Sequence, residues 1–334
     1  MTRIPDDFAL KRALDALPRE IDPPDDYWPA IRAGMAHRAF TNVRPEPRFA
    51  WTVQRIRLAA MVTLLAISAG TLVVTRRDAA RWQLATTTVS ARPFVVGEQF
   101  VSGGDSARLT VGRIGEVDVA SGTEVRLVRA KWSEHRLALA RGTIHARISA
   151  PPRLFIVETP SGTAMDMGCA YTLAVDSVGN SRLIVTDGWV EFTEYGRTSL
   201  IPAGFSAESR HGAGVGTPVA DRASAALVTA VDALDRSAMA NDSALGVVLA
   251  LAQKRDAVTL WHVLGSWRGS DAQRRRVYDK LAAMVPPPTL NATFDAVQRD
   301  PWAMKLWWEK LPGTLPIVPE WQRRLWTTWL RVTG

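Results

Sequence analysis

Cysteine is almost absent from this 334-residue chain, in which Cys169 is the single example. One cysteine forms no disulfide within the chain and no cysteine-based metal site, so the cysteine content does not reveal the redox compartment. Cys169 follows Gly168 in an apolar stretch, and this context predicts a buried, unreactive thiol. Histidine is also scarce, and none of the five histidines stands at metal-ligand spacing from a histidine, cysteine or carboxylate. We therefore expect no metal.

Sequence motifs for catalysis are lacking as well. The glycine-rich segments 112–115 and 212–216 do not stand in the strand-turn-helix context that cradles phosphate. Ser102, Ser161 and Ser181 lack the nucleophile-elbow sequence. The pattern predicts a protein that is not an enzyme and that needs no cofactor.

Two histidines have contexts that favour structural roles. His145 alternates with Ile144, which predicts a position on a strand surface. His262 stands beside Trp261 in an apolar helical stretch, where a buried, hydrogen-bonded histidine is the expected outcome.

Long basic runs are absent, although the formal net charge is +8 and the isoelectric point is about 10.1. The longest run is Arg274–Arg276, and the other basic residues are spread along the chain. We interpret the charge as solvated surface, with a contribution to membrane binding near residues 44–57. Direct binding of nucleic acid is not predicted.

One long uncharged run is present, from Leu58 to Val74, between arginines at 55 and 57 and arginines at 76 and 77. As a helix it would measure about 26 Å, close to the roughly 30 Å thickness of a hydrocarbon core. We predict a transmembrane helix over residues 56–76; the alternative is a buried core helix. The flanking charges lean weakly towards a cytoplasmic N-terminus, which would place the rest of the chain in the periplasm or outside the cell.

Residues 1–55 are polar and interrupted by prolines, with two short stretches of helical spacing. Trp28, Ile31 and Met35 share one face of the second stretch. Two short helices without a core of their own are a poor folding unit, so we predict a cytoplasmic segment that binds a partner through these three residues. A disordered tail is the alternative.

Between residues 86 and 210 the helical spacing gives way to short alternating runs separated by glycine turns. Many short strands at such spacing predict an all-β sandwich, roll or barrel. A glycine- and alanine-rich linker is predicted at 211–218. The inward-facing residues are predicted to be Val117, Val119, Val125, Leu127, Leu137, Leu139, Ile144, Phe155, Val157, Leu173, Val175, Ile184, Val190 and Phe192.

Helical spacing returns beyond the linker and predicts an α-helical domain of short hairpins over residues 220–334. Eight of the thirteen tryptophans lie between Trp261 and Trp329, so aromatic side chains should dominate its core. The predicted helices are 221–238, 243–253, 256–266, 271–284, 293–299, 301–310 and 319–331.

Five motifs in the β region occur in the order and spacing of the FecR domain. They begin at Leu137 (LALARGT), Phe155 (FIVETPSG), Met167 (MGCAYTL), Val185 (VTDGWVE) and Leu200 (LIPAG). The region of residues 86–210 therefore resembles the FecR family, whose members are transmembrane regulators that work with extracytoplasmic-function sigma factors. Cys169 and Tyr171 depart from the family pattern, which has threonine and phenylalanine there.

The resemblance implies a FecR-like β domain outside the membrane and an anti-sigma role inside it. Residues 17–31 also look like a segment that precedes the membrane span in some anti-sigma-type proteins, whereas the zinc-binding motif of other anti-sigma domains is absent. The expected fold class is thus multi-domain α+β: N-terminal helices, one transmembrane helix, the β domain and the helical domain. A sigma factor and an envelope protein are the expected partners, and a membrane-anchored scaffold or an envelope enzyme remain alternatives.

Overall fold

The computed structural model describes residues 29, 32–33, 81–288, 293–299 and 301–314. Residues 29, 32 and 33 are helical and exposed. Among the described residues no helix is both long enough and apolar enough to cross a membrane, and the predicted span at 56–76 lies outside them. The predicted helix at 319–331 lies outside them too.

Within the described residues, sixteen strands form a large all-β region, which confirms the predicted β class. Their bounds are β1 Trp82–Thr86, β2 Arg92–Pro93, β3 Gln99–Val101, β4 Ala107–Val111, β5 Gly115–Val119, β6 Glu124–Lys131, β7 Glu134–Ile148, β8 Phe155–Thr159, β9 Gly162–Asp166, β10 Ala170–Val175, β11 Ser181–Asp187, β12 Trp189–Glu194, β13 Arg197–Pro202, β14 Phe205–Arg210, β15 Gly214–Val215 and β16 Val219–Ala220. One half of the sheet runs β2-β1-β4-β5-β7-β10-β11-β14, and the other runs β3-β6-β7-β8-β9-β12-β13.

Strand β7 belongs to both halves of the sheet. Its first part pairs with β6 and its last part with β5 and β10. The change of partner falls at Gly142, which has φ +91° and is followed by Thr143, whose N–H donates to Thr123 Oγ1 over 2.9 Å. Because β7 turns this corner, the inward faces of the two halves share one core.

The alternating pattern identified the core correctly at all but one of the predicted positions. Thirteen of the fourteen residues predicted to face inward are buried. Ile184 is the exception and is only half-buried, because its neighbours Leu183 and Val185 take the inward positions. The run Leu183–Val185 is apolar at every position, so the sequence does not show which of these residues face the core.

The prediction of a linker at residues 211–218 is wrong. Gly214–Val215 pairs with β14, and Val215 is fully buried. The segment is therefore part of the sheet and not a free connection.

The helical region contains six described helices: α1 Ala225–Arg236, α2 Asp242–Leu251, α3 Ala257–Ser266, α4 Asp271–Met284, α5 Phe294–Arg299 and α6 Pro301–Trp308. Each lies within a residue or two of a helix predicted from the sequence or inside it. Side chains of Ser224, Asn241 and Ser270 accept hydrogen bonds from the first turns of α1, α2 and α4. The buried residues of the helices and of the sheet belong to one continuous hydrophobic cluster.

Candidate functional site

The glycines of the five FecR-like motifs have one feature in common. Each has a positive φ that favours glycine over other residues. They are Gly142 (+91°), Gly162 (+153°), Gly168 (+86°), Gly188 (+67°) and Gly204 (+81°). The motifs are therefore the points at which the β chain turns or bends, which gives the sequence pattern a physical reason.

Two of these motifs meet in space. A Cβ on Gly188 would clash with the Gly168 carbonyl oxygen and would lie 2.9 Å from Cys169 Cβ. The turn before β12 therefore packs directly on the turn before β10, and only glycine fits at the contact.

A buried polar cluster lies beneath this contact. Cys169 Sγ donates to Asp166 Oδ2 over 2.8 Å, and Gly168 N donates to Asp166 Oδ1 over 2.6 Å. Burial raises the pKa of Asp166 to about 6, although these hydrogen bonds oppose the shift. Burial, and then the charge of Asp166, raise the pKa of the Cys169 thiol, so the thiol stays protonated at neutral pH. The predicted burial of Cys169 is confirmed.

Tyr171 adds an unsatisfied group to this region. The residue is 2% exposed, and its hydroxyl has no hydrogen-bond partner within the described part of the chain. Burial raises the pKa of Tyr171 well above its ordinary value. A buried hydroxyl without a partner costs free energy that phenylalanine, the residue of the FecR pattern, would not incur.

We expect Tyr171→Phe to raise the free energy of unfolding by about 1 kcal/mol, because it removes the stranded hydroxyl and leaves the ring in place. Urea-induced unfolding followed by tryptophan fluorescence measures this. Tyr195→Phe is the control, since Tyr195 lies at the tip of the β12–β13 hairpin and is 72% exposed. A loss of stability in Tyr171→Phe, but not in the control, would show that the hydroxyl is bonded after all.

The sheet and the helices are joined at strand β13. Leu200 N donates to His262 Nε2 over 3.0 Å, so the imidazole of α3 satisfies a backbone N–H at the edge of the sheet. His262 Nδ1 lies 2.9 Å from the Val258 carbonyl oxygen and donates to it, because Nε2 is the acceptor. Burial lowers the pKa of His262 to about 4, so the ring is neutral at pH 7. The predicted buried, satisfied histidine is confirmed.

A second contact of this joint is an ion pair. Arg197 of β13 donates to Asp235 Oδ1 of α1 over 2.6 Å, and Thr217 donates to the same carboxylate through N and Oγ1. The Asp235 side chain is only 10% exposed, so this hydrogen-bonded ion pair stabilises the joint more than a fully exposed ion pair would. Ring packing of Trp189 on Trp308 adds apolar contact at the joint.

A cleft of about 600 Å³ opens beside the joint. Tyr195, at the tip of the β12–β13 hairpin, lies on its rim and is 72% exposed. Trp267 and Arg274 line the cleft, and neither Trp267 Nε1 nor Arg274 Nε has a hydrogen-bond partner among the described residues. Both donor atoms are shielded from solvent.

The predicted partner-binding residues Trp28, Ile31 and Met35 lie outside the described residues, and their role stays a prediction. Within the described part of the chain, no group of three or more histidine, cysteine or acidic side chains could hold a metal ion. His135 is a buried residue whose role sequence reasoning missed. Its Nδ1 accepts from Trp82 Nε1 over 3.0 Å, a contact across 53 residues that no local pattern signals.

The similarity of this chain to known proteins is low. No protein-family model matches the chain, and no curated protein matches it. Two crystal structures of a putative anti-sigma factor from Parabacteroides distasonis ATCC 8503 each show 16% identity and a TM-score of 0.33. The match covers 40% of this chain and 63% of that protein, so the chain spans less than two thirds of its length.

Proposed function

We propose that this chain is a single-pass membrane signalling regulator of FecR type, which modulates an extracytoplasmic-function sigma factor in response to an envelope signal. The observation that carries the proposal is the set of five motif glycines, which stand at positive φ at successive turns and bends of the sheet. Positive φ is common for glycines at turns, so the support comes from the order and spacing of the five motifs together with the place of each at a turn or bend of the sheet.

The proposal places residues 1–55 in the cytoplasm, the span at 56–76 in the inner (plasma) membrane, and the remainder outside it. The uncharged run between paired arginines supports the span. The sheet and helices share one core and are held at β13, so a signal bound by either would act on one connected body. In this proposal the outer region binds an envelope protein and carries out no catalysis.

Trp28 would anchor the sigma factor. We expect Trp28→Ala to weaken capture about 30-fold, the loss typical of an interface tryptophan at roughly 2 kcal/mol. The measurement is retention of sigma factors from a lysate of the source cells by a peptide of residues 1–50, with quantitative mass spectrometry.

The matched control is Phe8→Ala in the same peptide, because Phe8 belongs to the first helical stretch and not to the predicted binding face. Phe8→Ala should retain the sigma factor. If the unchanged peptide captures no sigma factor, and deletion of residues 1–50 leaves the cellular function intact, the regulatory role is wrong and a scaffold remains.

A further inference from the structure

The start of β1 marks the end of the β region that is closest along the chain to the predicted span. Arg81 O accepts from Gly112 N over 2.7 Å, and Trp82 O accepts from Phe94 N over 2.9 Å. The turn after β4 and the loop after β2 therefore lie beside the first residues of β1.

The β6–β7 hairpin tip lies at the same end. Trp82 Nε1 donates to His135 Nδ1, and the Trp82 ring stacks on Phe155 at 6.1 Å between centroids. His135 is the second residue of β7 and directly follows the turn in which Lys131 pairs with Glu134. Trp132 stands in that turn.

These three segments present an exposed apolar and basic surface. Val95, Val96 and Trp132 are 58%, 57% and 54% exposed. Arg113 and Lys131 are exposed, and neither forms an ion pair with a carboxylate of the described residues. We call these five residues the proximal surface.

Most arginines elsewhere on the sheet have carboxylate partners. Arg147 pairs with Glu116 and Asp118, and Arg153 pairs with Glu191. Near the proximal surface the acidic side chains are already engaged, since Glu98 binds Arg92 and Glu134 binds arginines. The surface therefore carries uncompensated positive charge beside exposed apolar side chains.

We propose that the proximal surface rests on the anionic headgroups of the membrane that holds the predicted span; this inference depends on the proposed function. Five residues, 77–81, separate that span from Trp82, and an extended chain of five residues reaches about 17 Å. The start of β1 thus stays within that distance of the bilayer. Valine and tryptophan side chains enter the interfacial layer, and Arg113 and Lys131 bind anionic headgroups.

Exposure alone does not single out this end of the sheet. Val178, in the turn between β10 and β11, is 68% exposed. It lies at the other end, because β10 begins opposite Arg147, near the start of β1, and runs about 17 Å to Val175. Val178 is therefore a matched exposed valine that the short connection keeps away from the bilayer.

The test uses the full chain in vesicles of phosphatidylcholine and phosphatidylglycerol. Val96→Cys and Val178→Cys are each labelled with a fluorophore, while Cys169 is 3% exposed and out of reach of the label. Quenching by brominated phosphatidylcholine reports contact with lipid, and extraction of the same vesicles with alkaline carbonate reports anchoring separately.

We expect quenching at position 96 to exceed that at position 178 several-fold. Arg113→Gln and Lys131→Gln should each weaken the docking equilibrium roughly fivefold, and vesicles of phosphatidylcholine alone should weaken it further. Equal quenching at both positions, in a chain that resists alkaline extraction, would overturn the docking and leave the anchor intact. Extraction by carbonate would instead remove the anchor and the proposed function.

Discussion

Replacing Gly142 with alanine should destabilise the protein by at least about 4 kcal/mol, a large fraction of the roughly 5–15 kcal/mol by which a folded domain is stable. Gly142 stands at the corner of β7 with φ +91°. An added Cβ would lie 2.5 Å from Thr123 Cα and 2.7 Å from Thr123 Cβ. The obstacle includes backbone, which cannot move without breaking the pairing of β6 and β5 with β7.

The chain contains a control with the same backbone angle. Gly97 also has φ +91°, but an added Cβ there would meet no atom within 4 Å. Gly97→Ala should therefore cost only the conformational term, about 1 kcal/mol. Urea-induced unfolding of both full-length variants in mild detergent, followed by tryptophan fluorescence, gives the difference. Equal losses would mean that β7 does not turn against Thr123.

Removal of the His262 side chain should have the second-largest effect. We expect His262→Ala to lower the free energy of unfolding by roughly 3–5 kcal/mol, because it leaves a cavity and strands the Leu200 N–H. His145→Ala is the matched control. The His145 side chain is exposed, and its one hydrogen bond to a described residue is to Thr172 on the neighbouring strand β10, so its loss should cost less than about 1 kcal/mol.

The contribution of His262 should also depend on pH. Its pKa is about 4 in the folded chain and about 6.5 in the unfolded one, so acid favours the unfolded state. Its contribution is complete above pH 6.5 and is lost as the pH falls towards 4. The stability difference between the native chain and His262→Ala should shrink by about 3 kcal/mol over that range. A difference that does not change with pH would contradict the Leu200 bond.

The local regularities of the chain were predictable, and its long-range contacts were not. Alternation identified β strands because one face of each strand is buried, and it failed only at Ile184, inside a run that is apolar at every position. The short strand Gly214–Val215 was predicted as linker because glycine-rich composition signals a turn, whereas tertiary pairing decided the outcome.

The joint at β13 shows why the site could not be assembled from the sequence. His262 and Leu200 are 62 residues apart, and the pairing depends on how α3 packs on the sheet edge. The apolar neighbours of His262 in the sequence predicted its burial, but they did not predict that it would bond the Leu200 N–H. Likewise, the exposure of Trp132 in the β6–β7 turn does not follow from its residue type, because tryptophan side chains are largely buried on average.

The claim on which the account depends is that a lipid-crossing segment separates residues 1–55 from the sheet and helices. Reporter fusions at each end of the full chain test it most directly, with one reporter active only in the cytoplasm and one active only after export. If the segment crosses the membrane, the N-terminal fusion will have cytoplasmic activity and the C-terminal fusion will have exported activity. Activity of both ends in one compartment would contradict it.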